Sequence, residues 1–146
     1  MNSVQGITVF ALIGSAALVS GCVNHRGNEA TNSANVSSEK SATTGKRSRI
    51  WSNYQVKEDC SSGIIPTLKV TSAPVHGKIE IVEETVSPEI PADNVRYKCN
   101  SRKYKAAVAY YTSEPGFSGT DKVSLYADWR SDQMFTYTTV RIKVSK

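Results

Sequence analysis

The residues that could carry catalysis are few and lie far apart in the chain. His76 is the only histidine after the first third, because the other, His25, lies in a polar segment near the N-terminus. A Ser-His-Asp arrangement would therefore depend on His76 alone. Glu83, Glu84 and Glu89 offer carboxylates for acid–base chemistry, but neighbouring acids that follow a strand are ordinarily solvated. The sequence therefore predicts no enzyme, no catalytic residues and no cofactor.

The other reactive side chains are three cysteines, Cys22, Cys60 and Cys99. Cys22 ends the stretch "AALVSGC", which closes an uncharged apolar run from Ile7 to Val19. A transmembrane helix needs about 20 apolar residues, so this run is too short to span a bilayer and has the length of a signal peptide. Small residues before Cys22 suit a signal-peptidase cut. Residues 1–21 are therefore predicted to be a signal peptide.

The tetrapeptide Val19-Ser20-Gly21-Cys22 resembles the lipobox of bacterial lipoproteins. The resemblance implies cleavage before Cys22, a diacylglyceryl group on its thiol and an acylated new N-terminus. Each buried acyl methylene contributes about 0.8 kcal/mol, so several chains would form a firm membrane anchor. Because Val23 rather than Asp follows the cysteine, the resemblance implies the bacterial outer membrane, with the domain periplasmic or surface-facing. "MNSVQG" lacks the usual Lys or Arg, so an ordinary secretory signal peptide remains the alternative.

If lipid occupies Cys22, Cys60 and Cys99 form an even pair. Disulfides persist in the oxidising compartments to which signal peptides lead, so a Cys60–Cys99 disulfide is predicted. Two buried free thiols are the alternative. A zinc site would lack a CxxC spacing and have only His76 nearby, so no metal is predicted.

The charge distribution argues against a nucleic-acid partner. The formal net charge is +5, but five basic and two acidic residues precede residue 50 and leave only +2 for the rest. Such a nearly neutral domain lacks the electrostatic footprint of a nucleic-acid binder. The segment from Val23 to Arg49 is rich in Asn, Ser, Thr and charge, with two large apolar residues. Residues 22–49 are therefore predicted to be a flexible linker carrying the lipidated Cys22.

From residue 50 onward the apolar residues alternate with a period of two. In "DKVSLYADW", Val123, Leu125 and Ala127 share one parity, as in a strand with one buried face. Similar runs are "WSNYQV", "TLKV", "GKIEIVEE", "NVRYKC", "AAVAYY" and "FTYTTVRIKV". About seven short strands separated by turn residues predict an all-β, immunoglobulin-like antiparallel β-sandwich over residues 50–146.

The last of these runs changes parity. Phe135 and Tyr137 fall opposite to Val140, Ile142 and Val144. A β-bulge or a two-sided environment near the middle of the run, at Thr138, would account for the change.

Two stretches, "TSAPVHGKIEI" and "YYTSEPGFSGTDKVSLY", resemble bacterial Ig-like or cadherin-like repeats of surface and envelope proteins. The matching residues are Pro74, His76, Gly77, Tyr111, Pro115, Gly116, Phe117, Gly119, Thr120 and Asp121. The resemblance covers most of Thr67 to Val144 and implies the same sandwich fold. The motif has a structural interpretation, in which Phe117 plugs one end of the core, Gly119 supplies a positive φ and Asp121 caps loop amides. The chain lacks the acidic clusters with which cadherins bind calcium.

A basic cluster lies in "RYKCNSRKYK" and comprises Arg96, Lys98, Arg102, Lys103 and Lys105. In an envelope protein it could contact anionic lipid, lipopolysaccharide, acidic glycan or a negatively charged partner. The alternative is a hairpin loop that lysines keep soluble. A second candidate surface is the solvent face with Tyr126 and Tyr110, although either parity of "AAVAYYT" could face inward.

These observations predict a lipid-anchored envelope protein with a non-catalytic binding or structural role. Its expected partners are the membrane, through the anchor, and a protein or other envelope component. One alternative is an inhibitor or defence lipoprotein that blocks a host hydrolase with the insertion Pro88 to Asn94. Another is a surface adhesin, which tandem repeats would have favoured over one domain.

Overall fold

The strands of this protein form an immunoglobulin-like β-sandwich, as the alternation predicted. The computed structural model describes residues 33–130 and 134–146, so the predicted signal peptide and Cys22 lie outside the described residues. The strands are β1 (Ser33–Thr43), β2 (Ser48–Asn53), β3 (Thr67–Ser72), β4 (Gly77–Val86), β5 (Tyr104–Ser113), β6 (Gly119–Asp128) and β7 (Phe135–Ser145). A 3-10 helix at Tyr97–Ser101 precedes β5.

The described strands form two sheets. One sheet has the order β1-β7-β6-β3 and the other has the order β2-β5-β4. All pairs are antiparallel except β1 with β7, which run parallel from Ser33 opposite Phe135 to Thr43 opposite Ser145. Placing the first strand beside the last gives the sandwich one parallel edge pair.

The connections divide between two ends of the sandwich. We name the end that carries the β2–β3, β4–β5 and β6–β7 connections the loop end, and the opposite end the far end. Ser33 pairs with Phe135, the first residue of β7, so β1 also begins at the loop end. The far end holds the β1–β2, β3–β4 and β5–β6 connections and the end of β7.

Side chains of one parity from both sheets fill the space between them. Tyr111, Ile50, Leu125, Ile142, Val123 and Val140 are the largest fully buried side chains of this central core. Their burial supplies the main apolar driving force for the sandwich, at about 25 cal/mol per Å² removed from water.

The predicted linker is wrong for residues 33–49. Its second half forms β1 and the start of β2, and β1 pairs with β7 along its whole length. Ala42 is the one fully buried residue of β1. Backbone hydrogen bonding to β7 therefore recruits a strand whose side chains show almost no apolar pattern.

Two local predictions also need correction. The run "NVRYKC" is not a strand, because it enters the 3-10 helix at Tyr97. In β7 no bulge occurs, since its register with β6 is regular from Phe135 to Val144. Thr138 is buried, while Phe135 and Tyr137 face outward beside Tyr126, so the environment of β7 is two-sided.

Candidate binding site at the loop end

The disulfide between Cys60 and Cys99 fastens two connections of the loop end together. It joins the β2–β3 connection to the 3-10 helix, and the two cysteines are 39 positions apart in the sequence. The Tyr104 hydroxyl donates to the carbonyl of Cys60 over 3.0 Å, and Arg102 Nη1 donates to the same oxygen over 3.3 Å. Tyr54, Val56 and Ile90 pack around this buried cluster. The predicted disulfide is confirmed, and it makes the loop end a cross-linked platform.

The β4–β5 connection is folded back on the domain over much of its length. Pro88 is buried. Asn100 accepts from the Ile90 amide over 3.0 Å and donates to the Ile90 carbonyl over 2.9 Å. Glu89 reaches Arg49 on β2 at 3.4 Å. The exposed tip of the insertion is therefore limited to residues 91–95.

The structure places the predicted basic cluster at the loop end. Arg96 precedes the 3-10 helix, Lys98 lies in it, Arg102 and Lys103 follow it, and Lys105 lies in β5. The cluster is not one uniform patch, because two members contact neighbouring groups. Arg96 Nη2 lies 3.7 Å from Glu58 Oε1, and Arg102 donates to a carbonyl.

The three remaining lysines of the cluster, Lys98, Lys103 and Lys105, are exposed and form no ion pair with a described residue. Acidic side chains also occur at the loop end, including Glu58, Asp59, Glu89 and Asp93. The positive potential is therefore local to the lysines rather than spread across the whole end.

A cleft opens between the three connections of the loop end. Its volume is about 390 Å³, within the range that small-molecule sites occupy. We name it the Trp129 cleft, and it is lined by Ser52, Asn53, Tyr54, Val56, Ile90, Asn94, Arg96 and Trp129. The cleft thus combines aromatic walls with amide and guanidinium groups.

Two buried donors distinguish this cleft from the other hollows of the described surface. Asn53 Nδ2 and Arg96 Nε are buried and have no acceptor among the described residues. The Asn53 amide cannot be turned round without loss, because its Oδ1 accepts from Trp51 Nε1 over 2.9 Å. Buried polar groups in proteins are nearly always partnered, so two donors beside one cleft call for an acceptor there.

Sequence reasoning identified Arg96 but missed the rest of this site. Asn53 ends β2 and Trp129 directly follows β6 of the other sheet, and 76 positions separate them. The only available signal was Trp129 itself, because tryptophan is scarce in this chain. Only the folded topology brings these residues together with the β4–β5 connection.

The two repeat-like motifs meet at the far end, around Asp121. The Asp121 carboxylate accepts from the amides of Val75 (3.0 Å), His76 (2.9 Å) and Lys122 (2.8 Å) and from the hydroxyl of Tyr111 (3.0 Å). Burial opposes its ionisation, but these hydrogen bonds outweigh burial and lower the pKa of Asp121. For Tyr111, burial and the bond to Asp121 raise the pKa strongly.

His76 has a packing role in this joint. Its ring stacks on Phe117 with centroids 4.2 Å apart, and its Nδ1 lies 4.0 Å from Glu114 Oε2. Its carbonyl accepts from the amide of Glu114 over 2.8 Å. His76, on which a triad would depend, thus takes part in contacts that join the β3–β4 and β5–β6 connections.

The tyrosines of the second candidate surface lie on opposite faces of the molecule. Tyr126 stacks with Phe135 at 5.6 Å and contacts Tyr137 at 5.1 Å on the outer face of the four-stranded sheet. Tyr110 faces outward on the other sheet, where its hydroxyl donates to Glu84 over 2.6 Å. This hydrogen bond raises the pKa of Tyr110. The Arg47 guanidinium covers its ring at 3.3 Å. The two tyrosines do not form one surface.

The described residues, 33–130 and 134–146, contain neither a metal-binding cluster nor a long apolar helix. No group of three or more His, Cys, Asp or Glu side chains in these ranges is placed to hold a metal ion. Within the same ranges, none of the helices has the length and apolar character needed to cross a membrane.

Comparison with known proteins leaves the chain without an assigned family. No model of a protein family matches it, and no curated protein matches it. Among solved structures it is similar to one described as "Solution Structure of Amebosin", with a TM-score of 0.38 and 12% sequence identity. That match covers 75% of this chain and 98% of the other.

Proposed function

We propose that this protein is a lipid-anchored component of the bacterial outer membrane whose immunoglobulin-like domain has a non-catalytic binding role. The anchor would be the acylated Cys22, which the sequence "VSGC" supports. The partner would be a protein or another envelope component bound at the loop end.

The loop end is the observation that carries the binding role. Three connections meet there, the Cys60–Cys99 disulfide cross-links two of them, and the Trp129 cleft lies between them. The two cross-linked connections lose little conformational entropy on binding, because the disulfide already holds them together. The disulfide also supports export, since such bonds persist in oxidising compartments.

The inhibitor alternative has less structural support. A loop that blocks a hydrolase must project into an active-site cleft. Here Pro88 is buried, and both the amide and the carbonyl of Ile90 are hydrogen-bonded to the Asn100 side chain. Only residues 91–95 remain as an exposed tip. The binding module is therefore the better supported of the two functions.

The anchor is tested by the intact mass of protein extracted from membranes, beside a Cys22→Ala variant. We expect a chain that begins at Cys22 and carries added acyl mass, and we expect the variant to move to the soluble fraction. An unacylated, soluble wild-type protein would contradict the anchor and would indicate a freely diffusing secreted domain instead.

The binding role is tested by photo-cross-linking in cells. A photoreactive amino acid replaces Lys103 at the loop end in one strain and Lys46 at the far end in a matched control strain. We expect a discrete cross-linked envelope component at position 103 and not at position 46. The reverse pattern, or no product at either position, would argue against the loop end as the binding surface.

A further inference from the structure

We propose that the Trp129 cleft binds an acidic sugar, with Arg96 and Asn53 holding its carboxylate and the aromatic side chains contacting its ring. This inference rests on the proposed binding role of the loop end and not on the lipid anchor. It narrows the partner from an envelope component to a sugar that carries a carboxylate, either free or as a unit of a glycan.

The charge of the ligand follows from the two unpartnered groups. Asn53 Nδ2 and Arg96 Nε are both donors, so the complementary ligand supplies acceptors. A guanidinium presents its N–H groups in a planar fork that matches a carboxylate. Both atoms are buried in the free protein, so the two side chains must rotate before a ligand can reach them.

Glu58 shows that a carboxylate can approach this guanidinium. Its Oε1 lies 3.7 Å from Arg96 Nη2, beyond the length of a hydrogen bond, and its side chain is 77% exposed. A ligand carboxylate that bonded Arg96 at about 2.8 Å would outcompete such a loose, solvated contact. Glu58 is therefore expected to act as a weak internal competitor.

The size and walls of the cleft favour a sugar over a simple acid. A volume of about 390 Å³ accommodates a monosaccharide, and the open side of the cleft leaves room for a linked residue. Trp129 and Tyr54 supply flat apolar walls that can cover the C–H faces of a pyranose ring. Asn94 and Ser52 add amide and hydroxyl groups that can bond ring hydroxyls.

The chain contains two natural reporters of this site. Its two tryptophans are Trp51, whose indole N–H bonds Asn53, and Trp129, which lines the cleft. Their indole N–H signals are resolved from the rest of a two-dimensional NMR spectrum. Occupancy of the cleft should move both signals, whereas a ligand bound elsewhere should move neither.

The test is a titration of the chain from residue 22 onward, made soluble by Cys22→Ala, with glucuronic acid. Glucose is the neutral control, acetate the control for a bare carboxylate, and methyl glucuronide represents a glycan-linked unit. We expect glucuronic acid to shift both indole signals with a Kd of roughly 1 mM, typical for a ligand of this size. Glucose and acetate should each bind at least about tenfold more weakly. If methyl glucuronide binds comparably, the source of the ligand is a glycan. If methyl glucuronide fails to bind, the source is a free sugar acid.

Variants assign the binding to the cleft. Arg96→Ala and Asn53→Asp should each weaken binding about tenfold or more, the second because it replaces a donor with a negative charge while keeping the acceptor for Trp51. Glu58→Gln should strengthen binding. Lys103→Ala, in the same basic cluster but outside the cleft, should leave the Kd within about twofold. Urea unfolding of each variant reports separately whether the fold is retained.

The proposal is overturned if glucuronic acid leaves the indole signals unmoved, or if glucose or acetate binds as tightly. It is also overturned if Lys103→Ala weakens binding as much as Arg96→Ala, because attraction would then be a general effect of charge. None of these outcomes bears on the anchor, which the mass and fractionation of the Cys22→Ala variant test independently.

Discussion

Asp121 is a buried carboxylate whose four hydrogen bonds connect three segments of the far end. The sequence predicted that it would cap loop amides at the start of the strand after the turn, and it also accepts from Lys122 N within β6. Its bonds from Val75 N and His76 N reach a connection 45 to 46 positions away and could not be predicted from local pattern. A short motif specifies a residue's chemistry, whereas the fold determines which distant donors meet it.

Replacing this carboxylate should cost about 2–3 kcal/mol of the free energy of unfolding at pH 7. In Asp121→Asn one acceptor oxygen becomes an N–H₂ group, which faces two donors and leaves them unsatisfied. Urea unfolding measures the loss. Asp93→Asn, in an exposed turn, is the matched control and should change stability by less than about 0.5 kcal/mol.

The same variant tests the electrostatic role of Asp121 through its pH dependence. Because the folded protein lowers the pKa of Asp121, its contribution is fully present above the unfolded value of about 4 and is lost as the pH falls through the folded value. The difference between wild type and Asp121→Asn should therefore shrink below pH 4. A constant difference down to pH 2 would mean that ionisation is not what stabilises this joint.

Gly77 is required for close packing rather than for an unusual backbone angle. A Cβ at this position would lie 2.5 Å from Tyr111 Cε2 and 2.6 Å from the carbonyl oxygen of Thr112. Gly77→Ala should therefore destabilise the protein by about 1–3 kcal/mol and disturb the near-ultraviolet circular dichroism of Tyr111.

Gly116→Ala is the informative comparison for Gly77→Ala. Gly116 has a φ of +82° and no neighbour within 4 Å of a Cβ, so alanine there adds backbone strain without a clash. It should cost about 1 kcal/mol and leave the Tyr111 signal unchanged. An equal change of the Tyr111 signal in both variants would contradict the packing explanation.

At the scale of elements, strands with one buried face were predictable and the others were not. β6 alternates because its inner side chains fill the core, so Val123, Leu125 and Ala127 revealed it. β1 has a polar sequence at the edge of a sheet, and its partner strand rather than its side chains determines its conformation. The apolar alternation that ends in the 3-10 helix at Tyr97–Ser101 does not mark a strand. Cys99 is buried by the disulfide cluster while Tyr97 is exposed, so the two residues do not share one buried face.

Breaking the backbone pairing of β1 should destabilise β7 as well. In an edge strand the N–H groups point alternately to the neighbour and to the open side, so one of Ser37 and Ser38 donates toward β7. The double variant Ser37→Pro, Ser38→Pro removes that donor and should cost about 3 kcal/mol. Hydrogen exchange should show faster exchange of β7 amides near Val140.

The corresponding alanine double variant, Ser37→Ala with Ser38→Ala, keeps every backbone donor and should leave the exchange of β7 amides nearly unchanged. If the proline variant had the same exchange pattern as this control, β1 would not contribute to the stability of its neighbour.

The disulfide should contribute about 4 kcal/mol to stability, because its closed loop of 39 residues restricts the unfolded chain. Cys60→Ala combined with Cys99→Ala should lower the urea midpoint accordingly and increase exchange of amides in the β2–β3 and β4–β5 connections. Reductant should reproduce the shift in wild type and have no effect on the double variant. A midpoint unchanged by reductant in wild type would contradict this estimate.

At the scale of the whole molecule, the sandwich was predictable from the sequence, but which connections lie at which end of it was not. Seven turn-bounded, alternating segments were enough to indicate two packed sheets, although one of the predicted strands was exchanged for β1. The loop end was not predictable, because it depends on which connections the topology places together. The parallel β1–β7 pair determines, in addition, that the chain enters the domain at that end.

That entry point leads to a prediction about orientation on the membrane. If Cys22 is the anchor, residues 23–32 can separate it from Ser33 by at most roughly 40 Å. The far end lies a further strand length away, about 35 Å for β1. A fluorophore on Lys103→Cys in the lipidated protein should be quenched by headgroup quenchers in vesicles more strongly than one on Lys46→Cys. Equal or reversed quenching would mean that the domain does not sit with its loop end toward the bilayer.

The parallel register of β1 and β7 also determines how the domain would respond to mechanical force. An anchor would pull on β1 at the loop end, whereas a load at the end of β7 would act from the far end. These pulls slide the two strands past each other along their axes. The hydrogen bonds between them would then bear the load in shear and fail together, instead of opening one at a time. If the domain is tethered through Cys22, a polar strand of eleven residues with one buried side chain would therefore resist tension on it.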